Sequence, residues 1–397
     1  MDDPFQDELD TLRGRSLHRR LREMHAAPDG TVETAASARL VNFASNDYLG
    51  LADDPLLREA AKAAIDAYGV GAGASRLVSG TRPAHTALEE RLAALKGTDG
   101  ALTFSSGYAA AAGVIGALAD RHDVLILDKL CHACLVDAAR ASGAILRVYP
   151  HNALARLEDH LQWARREHPD ARVLVLTEAV FSMDGDRTPL AEIVELKDRH
   201  GAMLLVDEAH ATGVVGQHGR GLTHELGLVG RVEVLLGTLS KALGVSGGFV
   251  AGRRSLIDLL VNRARSFIYS TATPPALAAA AGAAVDFLAS EAGERRRLAL
   301  WQNIRLLATQ LPSSPAAAEG DAQPLPKPGG SAIFPWIVGH EADAVEWSAR
   351  LAKKGYFAPA IRYPTVARGT ARLRLTVTAR HRPEQIMDLG RALAALR

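Results

Sequence analysis

Short, mostly apolar runs recur along the chain at 101–104, 124–127, 145–148 (interrupted by Arg147), 173–176, 203–206, 234–236 and 248–251, and stretches of helical spacing separate most of them. Runs this short and this apolar read as strands buried on both faces, and strands alternating with helices demand a mainly parallel sheet covered by helices. That constraint also says where chemistry sits, because ligands of such sheets bind beyond the carboxyl ends of the strands. Several runs end in polar residues: Asp128 to His132, Thr177-Glu178, Asp207 to His210, and Thr238 to Lys241.

A lysine placed just after a buried strand sits where low dielectric disfavours its charged form, leaving an amine able to attack a carbonyl. Lys241, in VEVLLGTLSKALGVSGG, has that setting, and MLLVDEAH ends a second strand in Asp207 and His210. A carboxylate, a histidine and a deprotonatable lysine suit pyridoxal phosphate. The lysine would carry the aldehyde carbon, the carboxylate would keep the ring nitrogen protonated, and the histidine would reach the ring oxygen. At Ser105-Ser106-Gly107-Tyr108 a strand gives way to a helix, whose first N–H groups suit a phosphate.

Three competing motifs fail on context. Asp207-Glu208-Ala209-His210 spells the DEAH box of certain helicases, but no lysine follows the G-x-x-x-x-G pattern that such a motor needs. GVGAGAS at 69–75 matches a dinucleotide fingerprint but follows a helix rather than a strand, so its glycines are predicted to admit a close backbone neighbour. Cys131 and Cys134 bracket His132 with C-x-x-C spacing, yet no second cysteine pair completes a metal site; two buried small hydrophobes are predicted, and no metal.

At 397 residues and 48% apolar content the chain can bury one large core and a smaller one. The predicted organisation is an N-terminal arm over 1–50, a large domain over 51–290 and a small α+β domain over 291–397. The arm carries Leu9, Leu12, Leu17 and Leu21 near helical spacing among five arginines, which predicts a helix over 9–25 with a basic face. Further helices are predicted at 55–68, 83–96 and 109–119, a loop at 311–330, and strands at 331–338, 357–361 and 373–377 around a helix at 342–353. A net charge of +1 offers no field to gather nucleic acid or an anionic membrane. The uncharged stretch 270–285 contains two adjacent prolines and is too weakly apolar to span a bilayer. The acidic start lacks a presequence pattern, so a cytoplasmic protein is predicted.

The motifs SNDYLGLA (45–52), SSGYAAA (105–111), FSMDGD (181–186), VDEAHATGVVGQHGRG (206–221), TLSKALG (238–244), IYSTATPP (268–275) and PTVARGTARLRLTVTA (364–379) together resemble the α-oxoamine synthases. These are pyridoxal 5'-phosphate enzymes of the aspartate-aminotransferase fold (fold type I). The resemblance implies an α/β large domain with a mainly parallel seven-stranded sheet, a smaller α+β C-terminal domain, and a homodimer. It makes Lys241 the Schiff-base lysine and proton carrier, pairs Asp207 with the ring nitrogen and His210 with the ring oxygen, and stacks His132 on the ring. Gly107, Tyr108 and Thr238 would hold the phosphate end, Ser182 would sit beside the ring oxygen, and Ser270 and Thr271 would reach the neighbouring subunit's cofactor. Asn46 and Arg374 would bind the amino-acid carboxylate, and Arg19 and Thr365 the acyl substrate. The N-terminal arginines, AIR before PTV, and ARLRLT are similar to the biotin-pathway branch, which condenses L-alanine with a pimeloyl thioester of coenzyme A or acyl carrier protein; Tyr363 stands where that branch often has proline. Alternatives are glycine with succinyl-CoA or acetyl-CoA, serine with palmitoyl-CoA, and an aminotransferase.

Overall fold

The structure is a computed structural model that describes residues 3–27, 29–35, 38–314 and 330–396. Residues 315–329 of the predicted 311–330 loop lie outside the described residues. The chain divides into two compact units, one made of Leu51–Ser182 and Arg187–Arg297, the other of Met1–Gly50, Met183–Asp186 and Leu298–Arg397.

The first unit is built on seven strands: β1 Gly100–Phe104, β2 Val124–Asp128, β3 Ile145–Tyr149, β4 Val173–Glu178, β5 Met203–Asp207, β6 Val234–Thr238 and β7 Gly248–Gly252. Their order across the sheet is β1-β7-β6-β5-β4-β2-β3. Neighbours from β6 through β3 run parallel, and β7 is antiparallel to both β6 and β1. All seven apolar runs are therefore strands, and the α/β architecture is the predicted one. Their registers place Glu178 beside Asp207, and Asp207 beside Leu236. One hydrophobic core joins Leu125 and Leu127 of β2, Leu174 and Leu176 of β4, and Leu205 of β5 to Val114 and Ile115 of the helix Gly107–Leu118.

Helix ends follow local chemistry. Pro55–Tyr68 starts with proline in its first turn, where no N–H is needed, and the Asp54 side chain accepts the Leu56 N–H at 3.0 Å. Pro83–Lys96 stops where Gly97 turns left-handed at φ +69°. The glycine run corrects its prediction. A Cβ at Gly69, Gly71 or Gly73 would meet nothing within 4 Å, so among the described residues no segment presses on them; Gly69 and Gly73 instead supply φ of +76° and +79°.

In the second unit, strands Met24–Ala26, Thr31–Thr34 and Arg39–Asn42 run antiparallel, and the last pairs in parallel with Tyr356–Phe357. Ile333–Gly339, Ala371–Thr376 and Ala360–Ile361 form a second antiparallel sheet. The N-terminal helix is Pro4–Gly14 rather than 9–25. Beyond it Ser16 takes φ +55°, Arg362 donates to the Ser16 and His18 carbonyls, and Leu21 is fully exposed, so the leucine spacing buries no helical face.

His381 lies stacked on Phe43 with ring centroids 4.3 Å apart, accepts the Thr378 N–H at Nδ1 and donates from Nε2 to the Asn42 carbonyl. Burial pushes its pKa down to about 4, against the opposing hydrogen bond to Asn42. The unfolded chain therefore takes up this proton near pH 6.5 while the folded chain resists it, so stability present above pH 6.5 is lost as pH falls toward about 4. At about 1.4 kcal/mol per unit, the full loss is about 3 kcal/mol. Urea unfolding of wild type and His381→Phe across this range should show a shallower pH dependence in the variant; parallel curves would contradict it.

Candidate active site

The carboxyl ends of β4, β5 and β6 bring the central residues together. Asp207 is the last residue of β5, buried, with Oδ1 accepting the Ala209 N–H at 2.8 Å in the turn that follows. That turn delivers His210, also buried, whose Nε2 lies 2.8 Å from Lys241 Nζ. Lys241 itself follows β6, in a turn closed by the Gly244 N–H donating to the Lys241 carbonyl at 2.9 Å. Thr238 Oγ1, at the end of β6, donates to the Gly247 carbonyl at 2.9 Å and lies 2.7 Å from Ser240 Oγ.

Beside them is the start of the helix Gly107–Leu118. Ser106 caps it by accepting the Ala109 N–H at 3.0 Å, and Tyr108 donates to Asp137 at 2.7 Å. Strand β7 crosses against this helix start so closely that a Cβ at Gly248 would lie 2.5 Å from the Gly107 nitrogen and the Ser106 carbonyl oxygen. Glycine is required there by the close approach of two backbones. A helix N-terminus of this kind is the setting that favours a phosphate.

His132 caps the helix Ala133–Ala141 by accepting the Cys134 N–H at Nδ1, 3.2 Å, with Cys134 Sγ 3.0 Å from the same nitrogen. Burial, and then Lys241, lower its pKa, so the ring is neutral at pH 7. Cys131 and Cys134 are buried free thiols, raised by burial first and by neighbouring carboxylates next, which leaves them protonated and weakly nucleophilic. Ser182 is buried four residues beyond the end of β4. Ser270 and Thr271 follow the short helix Arg265–Ile268, and Thr271 bridges to Ser75.

The second unit pairs the remaining residues. Arg374 donates to Asn46 Oδ1 at 3.1 Å, and Arg19 donates to Thr365 Oγ1 at 3.3 Å.

Sequence reasoning noted Glu178 as a polar strand end but gave it no role. It is buried at the end of β4, in register with Asp207, and accepts the His132 N–H. Burial, then Asp207, push its carboxyl up to about 8. Burial raises Asp207 as well, against the opposing pull of Lys241, the Ala209 N–H and His132. The two carboxyls therefore titrate as one interacting pair. The strand register was the missing signal.

The residues present fit pyridoxal phosphate: an amine on a strand-end turn, a buried carboxyl group to partner a ring nitrogen, and a helix N-terminus for a phosphate. The aminotransferase class I and II family model matches residues 38–393. An 8-amino-7-oxononanoate synthase from Anaeromyxobacter dehalogenans is 47% identical over 98% of this chain and 94% of its own length, and another from Geobacter sulfurreducens is 45% identical over 98% and 96%. Among solved structures, serine palmitoyltransferase from S. paucimobilis with a bound PLP-myriocin adduct superposes with a TM-score of 0.89 at 29% identity, covering 99% of this chain and 96% of that one. An 8-amino-7-oxononanoate synthase from Francisella tularensis gives 0.74 at 26% identity, over 90% and 97%.

The raised Glu178 carboxyl has a stability cost with a definite sign. Between about 4.5 and about 8 the folded chain keeps a proton that the unfolded chain releases, so stability falls as pH rises through that window. Glu178→Gln removes the titration and keeps an acceptor for His132. Its melting temperature relative to wild type should rise more at pH 8.5 than at pH 5, as read by thermal melts of the cofactor-free proteins; an equal difference at both pH values would refute the assignment.

Proposed function

The chain belongs to the aminotransferase class I and II family, and from that premise we propose that it condenses L-alanine with a pimeloyl thioester to give 8-amino-7-oxononanoate, CO2 and free thiol, a step of biotin biosynthesis. The observation that carries this reading is near-full-length identity of 42–47% to relatives bearing that name, joined to a Lys241, His210 and Asp207 cluster suited to pyridoxal 5'-phosphate. In this reading it is an acyltransferase that works as a cytoplasmic homodimer.

Pyridoxal phosphate, when bound, supplies an electron sink for the α-carbon of the amino acid. The protein's own residues do the rest. Lys241 would hold the cofactor through Nζ, the atom that would also take the α-proton of the amino acid. Asp207 would keep a proton at the ring nitrogen, His210 and Ser182 would donate toward the ring oxygen, and His132 would pack against the ring. Gly107, Tyr108 and Thr238 would hold the phosphate end, and Ser270 and Thr271 would serve the neighbouring subunit's cofactor. Asn46 and Arg374 hold the alanine carboxylate until it leaves as CO2. Arg19 and Thr365 hold the acyl substrate, whose chain is apolar in its middle and polar at its far end. The new bond joins the alanine α-carbon to the thioester carbonyl carbon as the thiol departs.

A thiol-release assay should cross alanine, glycine and serine with pimeloyl, succinyl, acetyl and palmitoyl thioesters. The highest kcat/KM is expected for alanine with pimeloyl, on either carrier; glycine with succinyl-CoA in first place would overturn the substrate assignment. Lys241→Ala should lose the visible band that borohydride traps, and turnover should drop by roughly 10⁴-fold or more, as a covalent attachment and a base vanish together. Near-normal turnover in that variant would remove Lys241 from the mechanism.

A further inference from the structure

The first unit buries two lysines that the mechanism does not use, Lys96 and Lys197, and Lys96 lies the deeper of the two. Lys96, in the last turn of the helix Pro83–Lys96, is 1% exposed, and its partner Glu208 is 0% exposed. An ammonium carries three protons, and all three are accepted here: by Glu208 Oε2 at 2.7 Å, Thr212 Oγ1 at 2.7 Å and the Arg220 carbonyl at 3.0 Å. The other carboxylate oxygen of Glu208 accepts the Thr223 N–H at 2.8 Å. Gly221, at φ +106°, leaves room for this carboxylate, since a Cβ there would lie 2.1 Å from Oε2.

Glu208 is the residue after Asp207 and two before His210. Its N–H donates to the Leu236 carbonyl of β6 at 2.8 Å, and its carbonyl accepts the Ala211 and Thr212 N–H groups at 3.0 and 2.8 Å. The turn that presents Asp207 and His210 is thus tied on its inner side to a single ammonium, through the side chains of Glu208 and Thr212 and through the Arg220 carbonyl. Groups that orient a ligand-holding residue from behind govern how well it holds.

We propose that Lys96 is a positioning residue for the cofactor, fixing the Asp207–Thr212 turn through Glu208 and Thr212. This rests on the assignment of Asp207 and His210 to the cofactor ring. A purely structural ion pair behaves differently, because replacing both buried charges by apolar residues of similar volume is often neutral or stabilising. Stability and cofactor geometry are therefore separable.

The test uses holoenzyme and three readouts: the rate of cofactor release, followed through the visible band of the lysine-bound cofactor, the pH midpoint of that band, and the melting temperature of the cofactor-free protein. In the Lys96→Met/Glu208→Met double variant the melting temperature should stay near wild type while release quickens by about tenfold or more and the midpoint moves, the scale seen when such orienting partners are lost. Thr212→Val keeps both charges and decides the matter alone if the double variant does not fold; release should quicken about threefold, a smaller share of the same effect. Release and midpoint unchanged from wild type in the folded variants overturn the proposal. Asp207→Asn, measured alongside, separates two failures. No change there means that the underlying site assignment is wrong, whereas a change there with none in the Lys96 and Thr212 variants means that this proposal is wrong.

Discussion

Parallel pairing of β5 with β6 sets Asp207 opposite Leu236, so β6 runs two residues past its neighbour before its own turn begins. That offset lets the turn after one strand meet the turn after the other, and the 2.8 Å contact of His210 with Lys241 is its product. Both strands are buried along their length. Polar side chains can cluster only at their ends, so the sheet concentrates in one place what would be intolerable elsewhere. Glu178 and Asp207 share low-dielectric surroundings and titrate as a pair rather than singly.

Much of this was legible in the sequence because it depends on local pattern. Runs of three or four mostly apolar residues announce strands, proline and glycine mark the ends of 55–68 and 83–96, and strand-end Asp207 and Lys241 stand out against their apolar neighbours. The pairing of Asn46 with Arg374 and of Arg19 with Thr365 spans more than three hundred residues, and it was reached through the resemblance to a family rather than through spacing.

What stayed hidden depends on contacts between remote segments. The leucines at 9, 12, 17 and 21 have helical spacing, yet Arg362 takes carbonyls that a longer helix would use. Glu178 looked like any strand-end acid until the register set it beside Asp207. Lys96 looked like a helix-terminal lysine; only the fold turns it inward to an acid 112 residues away. Each case is a polar group whose partner the linear pattern does not name, which is where propensity loses to tertiary contact.

The FSMDGD segment has a further consequence. Met183–Asp186 belongs with the second unit, where Arg372 donates to Asp184 at 2.6 Å and Ser331 to the Gly185 carbonyl at 2.7 Å, although the residues on both sides belong to the first. The chain therefore passes between units four times, after Gly50, Ser182, Asp186 and Arg297. Neither unit is a continuous piece of gene. No single cut of the chain separates one whole unit from the other.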